Sequence, residues 1–224
     1  MKDRMNQVRV RSNLVFTIQQ KLLRVLFVFS FGLILGFVAK YADTVSINAD
    51  SKTILRFYTY GLSIIRDITT SLGIWVLIGT LLAARSRSPK AAALYVFIFF
   101  VGMLVAYYSY SSVLFGFFPK YYFFAWGVFA LLSPICAYII WYAGGNGWIA
   151  AFCSAPPIAL LLINGDGFYY THSLLQDFDL FLAILLFIVL PSNNMQRLRV
   201  LPFVVIMYFL CREYNLISMF FGGL

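Results

Sequence analysis

Long apolar runs separated by short polar segments make up most of this 224-residue chain. A membrane-spanning helix needs about 20 mostly apolar residues, and a backbone in hydrocarbon must satisfy its own hydrogen bonds, as a helix does. The runs therefore predict an all-α integral membrane protein of about seven transmembrane helices. Six spans are predicted at 22–41, 68–84, 91–117, 122–142, 148–163 and 174–190.

A seventh span is predicted to begin near Val200, and whether it crosses fully is left open. A run from Val200 to Phe221 is long enough to cross, whereas a run that ends at Leu210 is too short. In the second case residues 200–224 form a bent or half-inserted hairpin.

Two segments are predicted not to span. Residues 1–21 form a basic cytoplasmic N-terminal segment that lies along the anionic inner leaflet, and residues 22–224 form a single transmembrane domain. Within that domain, 52–66 has apolar residues at helical spacing with charges at both ends, which predicts an interfacial helix on the outer face. A re-entrant segment is the alternative for 52–66.

The distribution of basic residues orients the bundle, because Lys and Arg concentrate in cytoplasmic loops. With the N-terminus inside, the inner segments hold 11 of the 17 basic residues. These eleven are Lys2, Arg4, Arg9, Arg11, Lys21, Arg24, Arg85, Arg87, Lys90, Arg197 and Arg199. The N-terminus is therefore predicted to be cytoplasmic.

Composition supports the membrane assignment. The chain is 62% hydrophobic and 11% charged, whereas soluble domains carry about 25% charged residues. The lipid bilayer is therefore the expected partner and the cell (cytoplasmic) membrane the expected location, as a multi-pass protein. The net charge of +9 is interpreted as the basic cytoplasmic edge, and no nucleic-acid partner is expected.

The first candidate site lies at the end of the first span. Gly32, Gly36 and Lys40 are four residues apart and share one helix face. The two glycines form a small-residue motif for close helix packing, and Asp43 is placed to pair with Lys40. The pair is either a helix-end anchor at the outer interface or a charge pair at the mouth of a cavity.

The second candidate is a pair of proline-bearing helix centres, one in span four and one in span five. A proline inside a helix removes one backbone hydrogen bond, and consecutive broken helices can build a solute site near the membrane midplane. The alternative is a pair of kinks satisfied by serine hydroxyls and neighbouring helices. The residues concerned are Ser133, Pro134, Ser154, Pro156 and Pro157.

Arg212 and Glu213 are the third candidate, because they fall past the middle of a full seventh span and would form an intramembrane charge pair. The outer loop 164–179 contains His172 and three aspartates, but their spacing matches no metal motif, so no metal site is predicted. Nucleophile-elbow, zinc-protease and phosphate-loop motifs are missing. We therefore predict no catalytic residue, no cofactor and no enzyme activity.

Ordered marks along residues 25–200 resemble a family of small multi-pass membrane proteins of Gram-positive bacteria, known only as a domain of unknown function. The resemblance implies a compact helical bundle and supplies no catalytic or binding residues. Its marks are Gly36, Lys40, Asp43, Gly73, Trp75, Arg85, Arg87, Pro89, Met103, Tyr107, Tyr108, Trp126, Ser133, Pro134, Ala137, Trp141, Gly147 and Trp148.

Two functions follow as hypotheses. The first is a small permease or solute-binding membrane subunit, with a cavity that opens outward near Lys40, Asp43 and the proline-bearing spans. The second is a structural or assembly subunit that binds another membrane protein, or a second copy of itself, through the faces of Gly32 and Gly36.

Overall fold

The computed structural model describes residues 8–10, 17–44, 53–169 and 173–214. Within these ranges the regular structure is helical and contains no strand. The helices are α1 (Ile18–Thr44), α2 (Thr53–Thr70), α3 (Leu72–Arg85), α4 (Pro89–Phe115), α5 (Lys120–Ile140), α6 (Trp148–Gly165), α7 (Leu174–Val189) and α8 (Asn194–Glu213). Short 3-10 turns follow α5 at Trp141–Gly144 and α6 at Asp166–Tyr169.

Four or five of the described helices are long and apolar enough to cross a membrane. The four are α1, α4, α5 with its following turn, and α6; the fifth is the pair α2 and α3, which is bent by 68° at a break, if the pair counts as one span. Because α7 has only 16 residues and α8 begins with a polar and basic turn, neither is among them. The predicted helical membrane class is confirmed, and the predicted count of seven spans is not.

Prolines do not interrupt the helices that contain them. α5 continues through Pro134, and α6 continues through Pro156 and Pro157. The break in the first half of the chain comes instead between Thr70 and Leu72, a few residues after the predicted end of the interfacial segment at 66.

The chain divides into two compact units by its contacts. Unit one comprises Met1–Val15, Gly73–Val96 and Leu132–Leu224, and unit two comprises Phe16–Leu72 and Phe97–Leu131. The core of unit one is built by α6 against α7 and α8. Small residues on α6 allow these helices to approach closely, and the core residues are Ala151, Ala155, Ile158, Leu161, Leu182, Ala183, Leu186, Val200 and Val204.

Helix α6 packs against both α7 and α8. At one end the side chain of Gln196 binds the backbone of Gly147, and at the other the hydroxyl of Tyr208 reaches Asp166. α8 is therefore parallel to α6. α7 is antiparallel to both, because Gly165 at the end of α6 lies against Gln176 near the start of α7.

In unit two, α1 and α4 are parallel and in direct backbone contact. A Cβ on Gly32 would overlap the carbonyl oxygen of Phe99, and a Cβ on Gly36 would overlap that of Met103. Each step is four residues on both helices, so one face of α1 follows one face of α4 turn by turn. The glycines predicted to pack a neighbouring helix are in contact with α4 of the same chain.

Candidate functional site

The register of α1 on α4 positions the charge pair of the first candidate site. Lys40 lies one turn beyond Gly36, and Tyr107 lies one turn beyond Met103, so the close contact between the two helices places Lys40 beside Tyr107. The Nζ atom of Lys40 is 2.6 Å from Oδ2 of Asp43. The side chain of Lys40 is 6% exposed and that of Asp43 is 30% exposed, so solvent reaches the pair from the carboxylate side.

Aromatic side chains of α4 surround the ammonium group. Nζ of Lys40 is 5.0 Å from the ring centroid of Tyr107 and 4.8 Å from that of Phe115, within range of cation–π attraction. The hydroxyl of Tyr107 donates a hydrogen bond of 3.4 Å to the same Asp43 oxygen that binds Lys40. The ammonium thus lies near two rings, and its partner Asp43 also accepts from the Tyr107 hydroxyl.

This arrangement can bind a small molecule that carries both charges. Lys40 has three N–H donors and Asp43 has two carboxylate oxygens, so the 2.6 Å contact uses only part of their capacity. A solute anion can bind the ammonium beside the two rings while its cation binds the more exposed carboxylate. The geometry suits exchange of partners.

The second candidate site is tightly packed around Ser154. Its hydroxyl donates to the carbonyl of Ala150 at 2.8 Å and lies 3.4 Å from that of Ala143. Ser154 and these two alanines are fully buried. On α5, Ser133 is buried and Pro134 is partly buried; on α6, Pro156 is exposed and Pro157 is buried. The described contacts of Ser154 stabilise close packing of α6 on the turn after α5.

Arg212, from the third candidate, pairs with the end of α6. Its Nη1 donates to the hydroxyl of Tyr208 at 2.8 Å and is 3.5 Å from Oδ2 of Asp166. The Tyr208 hydroxyl in turn donates to that carboxylate at 2.8 Å. Arg212 is 52% exposed and Glu213 is also exposed. The three-residue chain fastens the end of α8 to the end of α6.

Two charged residues in unit one are more enclosed than expected from the sequence: Asp179 is buried and Arg9 is partly buried. Asp179 was assigned to the outer segment, yet it is 5% exposed on α7, and its carboxylate fills the space that a side chain on Gly73 would take. Arg9 was counted only as an orienting charge, yet its guanidinium donates to the carbonyls of Ala84 and Trp141. Burial lowers the pKa of Arg9 from its ordinary value, although an arginine stays charged.

A sequence signal for the Arg9 contact exists in retrospect. Gly144 and Gly145 lie three and four residues after Trp141, and Val8 and Arg9 occupy the space that side chains at these two positions would take. For Asp179, the signal was its place in a run that begins at Leu174 and is otherwise apolar except for Gln176 and Asp177. An ionisable residue inside such a run is a functional candidate by default.

The described residues offer no cluster of metal ligands. Among the described residues, no group of three or more His, Cys, Asp or Glu side chains could hold a metal ion. His172, the histidine considered for the outer loop, lies outside the described residues.

Comparison with known proteins does not assign the chain to a family. No family model, no curated protein and no solved structure matches it. Function must therefore be inferred from the geometry of its side chains.

Proposed function

We propose that this chain is a small permease or solute-binding subunit of the cell membrane, with seven spans and a cytoplasmic N-terminus. Its solute binds at the outer end of α1 and α4. The observation that carries this proposal is the nearly inaccessible ammonium of Lys40, held 2.6 Å from Asp43 and beside Tyr107. Ionisable groups kept away from water in a membrane protein mark solute or ion sites by default.

The register of the helices supports seven spans. Because α1 and α4 are parallel, the segment between them must return across the bilayer, and the bent pair of α2 and α3 provides that return. Because α7 and α8 extend as far as α6, all three cross if α6 does. Packing against α6 covers part of the surface of α7 and α8, so that less of each helix faces lipid.

A zwitterionic solute fits the site better than a singly charged one. A lone anion bound to Lys40 would lie close to the Asp43 carboxylate, and a lone cation bound to Asp43 would lie close to the ammonium. A molecule with both charges satisfies both groups in the same place, as required when charges leave water. We therefore propose small molecules with an ammonium and a carboxylate or phosphate as the solute class.

The assembly hypothesis has lost the contact surface on which it was based. Gly32 and Gly36 are covered by the backbone of α4 in the same chain, so a partner helix cannot reach them. The resemblance to small multi-pass proteins of Gram-positive bacteria is consistent with a helical bundle. It suggests no activity.

The test is binding of zwitterions to the purified full chain and to its Lys40→Met variant. A zwitterion that stabilises the wild type and leaves the variant unaffected supports the proposal. Equal effects on the two proteins, or none on either, refute it.

A further inference from the structure

The cytoplasmic ends of α3 and α5, as the proposal orients them, meet at a single guanidinium group. Ala84 lies in the last turn of α3 and Trp141 follows the last residue of α5. The final carbonyls of a helix have no partner within it and carry partial negative charge. The guanidinium of Arg9 donates to both carbonyls, with 2.7 Å to that of Ala84.

The indole of Trp141 forms a flat wall for this group. Its ring centroid is 4.6 Å from Cζ of Arg9, and the ring is fixed by a 2.7 Å hydrogen bond from its Nε1 to the carbonyl of Ser86. Trp141 is 1% exposed. A planar guanidinium can stack on the indole while its fork of donors binds two carbonyls, and an ammonium cannot do both.

Gly144 and Gly145 leave space for Arg9 beside the Trp141 ring, and the backbone of Val8 is bound as well. A Cβ on Gly144 would lie 2.8 Å from Nη1 of Arg9, and a Cβ on Gly145 would overlap the carbonyl oxygen of Val8. That oxygen accepts a 3.0 Å hydrogen bond from the backbone N–H of Asn146. Val10, which follows Arg9, is 82% exposed.

We propose that these groups form a guanidinium-binding site, which we call the Arg9 seat, and that Arg9 is its resident ligand. The Arg9 seat comprises the carbonyls of Ala84 and Trp141, the Trp141 ring and the space over Gly144 and Gly145. Its ligand class is an alkylguanidinium. By holding Arg9, the site fastens residues 8–10 to the ends of two helices, and the fastening is reversible by competition. This proposal does not depend on the solute site proposed at Lys40 and Asp43.

Chemical rescue in the full-length chain tests the site. Arg9→Ala removes the guanidinium and its hydrogen bonds to two carbonyls. This loss is expected to lower Tm in detergent by roughly 5 °C, because a small loss of folding free energy moves Tm by a few degrees in a chain of this size. Millimolar ethylguanidinium should restore most of that loss, and ethylammonium should restore none. Arg9→Lys should behave as Arg9→Ala does. Arg85→Ala changes an exposed arginine next to Ala84 in the sequence. It is the matched control, and ethylguanidinium should not change its Tm.

A spin label at Val10→Cys, in a chain whose native cysteines are replaced, gives a second readout that works on protein with Arg9 intact. Ethylguanidinium, but not ethylammonium, should raise the label's mobility, and Gly145→Val should raise it without any ligand. An unchanged spectrum in both experiments would overturn the proposal. So would an ethylguanidinium effect on Tm that is equal in Arg9→Ala and Arg85→Ala.

Discussion

Lys40 of α1 and Tyr107 of α4 face each other as the third step of a register that begins at two glycines. Gly32 lies on Phe99, Gly36 lies on Met103, and Lys40 then meets Tyr107. Each step advances four residues on both helices. The glycines are therefore part of the charged site, because they bring the two helices close enough for the ammonium to be enclosed.

Enlarging Gly36 should disturb this register. Gly36→Ala places a methyl group against the Met103 carbonyl, which is backbone and cannot rotate away. We expect a loss of about 2 kcal/mol or more, as for an overpacked core, measured by unfolding in detergent. Gly127→Ala is the matched control: a Cβ there meets nothing within 4 Å, and replacing glycine within a helix should raise stability by about 0.5–1 kcal/mol. Equal effects at both positions would contradict the close contact.

The charge pair should show strong coupling. Lys40→Met leaves the Asp43 carboxylate without its cation, and Asp43→Leu leaves a nearly inaccessible ammonium without its anion. Removing one partner of a buried pair is far more damaging than removing both. The double variant should therefore be more stable than either single variant in a thermal double-mutant cycle. Additive losses would mean that the two groups do not depend on each other.

The side chain of Gln196 should stabilise the packing of α8 against α6. Its amide donates to the carbonyl of Gly147 at 2.7 Å and accepts from the Gly147 N–H at 3.0 Å, and the residue is 1% exposed. Gln196→Leu removes both hydrogen bonds and should cost about 2 kcal/mol, measured as a shift of the unfolding midpoint. Gln19→Leu, at an exposed position on α1, is the control and should change little. A similar loss at both glutamines would show that the effect is general.

The two ends of α8 should lie on opposite sides of the membrane. Met195 and Tyr214 are 66% and 68% exposed, so single cysteines there can be labelled in a chain without its native cysteines. An impermeant maleimide added to intact cells should label position 214 and leave position 195 until the cells are opened. Labelling of both positions from the same side would show that α8 does not cross.

The sequence predicted helical boundaries well where turn chemistry marks them. The spans predicted at 91–117 and 148–163 match α4 and α6 to within two residues at each end, and α4 begins at Pro89. The spans predicted at 122–142 and 148–163 contain prolines, and α5 and α6 run through Pro134, Pro156 and Pro157. Neighbouring helices in a bundle can stabilise a helix that lacks one backbone hydrogen bond.

Contacts between distant residues were beyond a single sequence. Arg9 and Trp141 are 132 positions apart, and no periodicity connects them. Lys40 and Asp43 could be paired in advance because helical spacing is local, whereas the rings of Tyr107 and Phe115 that enclose the ammonium come from another helix. The burial of Asp179 was beyond prediction for the same reason, because its carboxylate lies against Gly73 of α3, far away in sequence.

The most direct measurement is a thermal-shift comparison of the wild type, Lys40→Met and Lys120→Met, a variant of an exposed lysine at the start of α5. The probes are glycine, phosphorylethanolamine, choline and acetate, which separate zwitterions from single charges. A zwitterion should raise the Tm of the wild type and of Lys120→Met and have no effect on Lys40→Met, while choline and acetate have none on any of the three proteins. No shift with either zwitterion, or equal shifts in all three proteins, would contradict a solute site at Lys40.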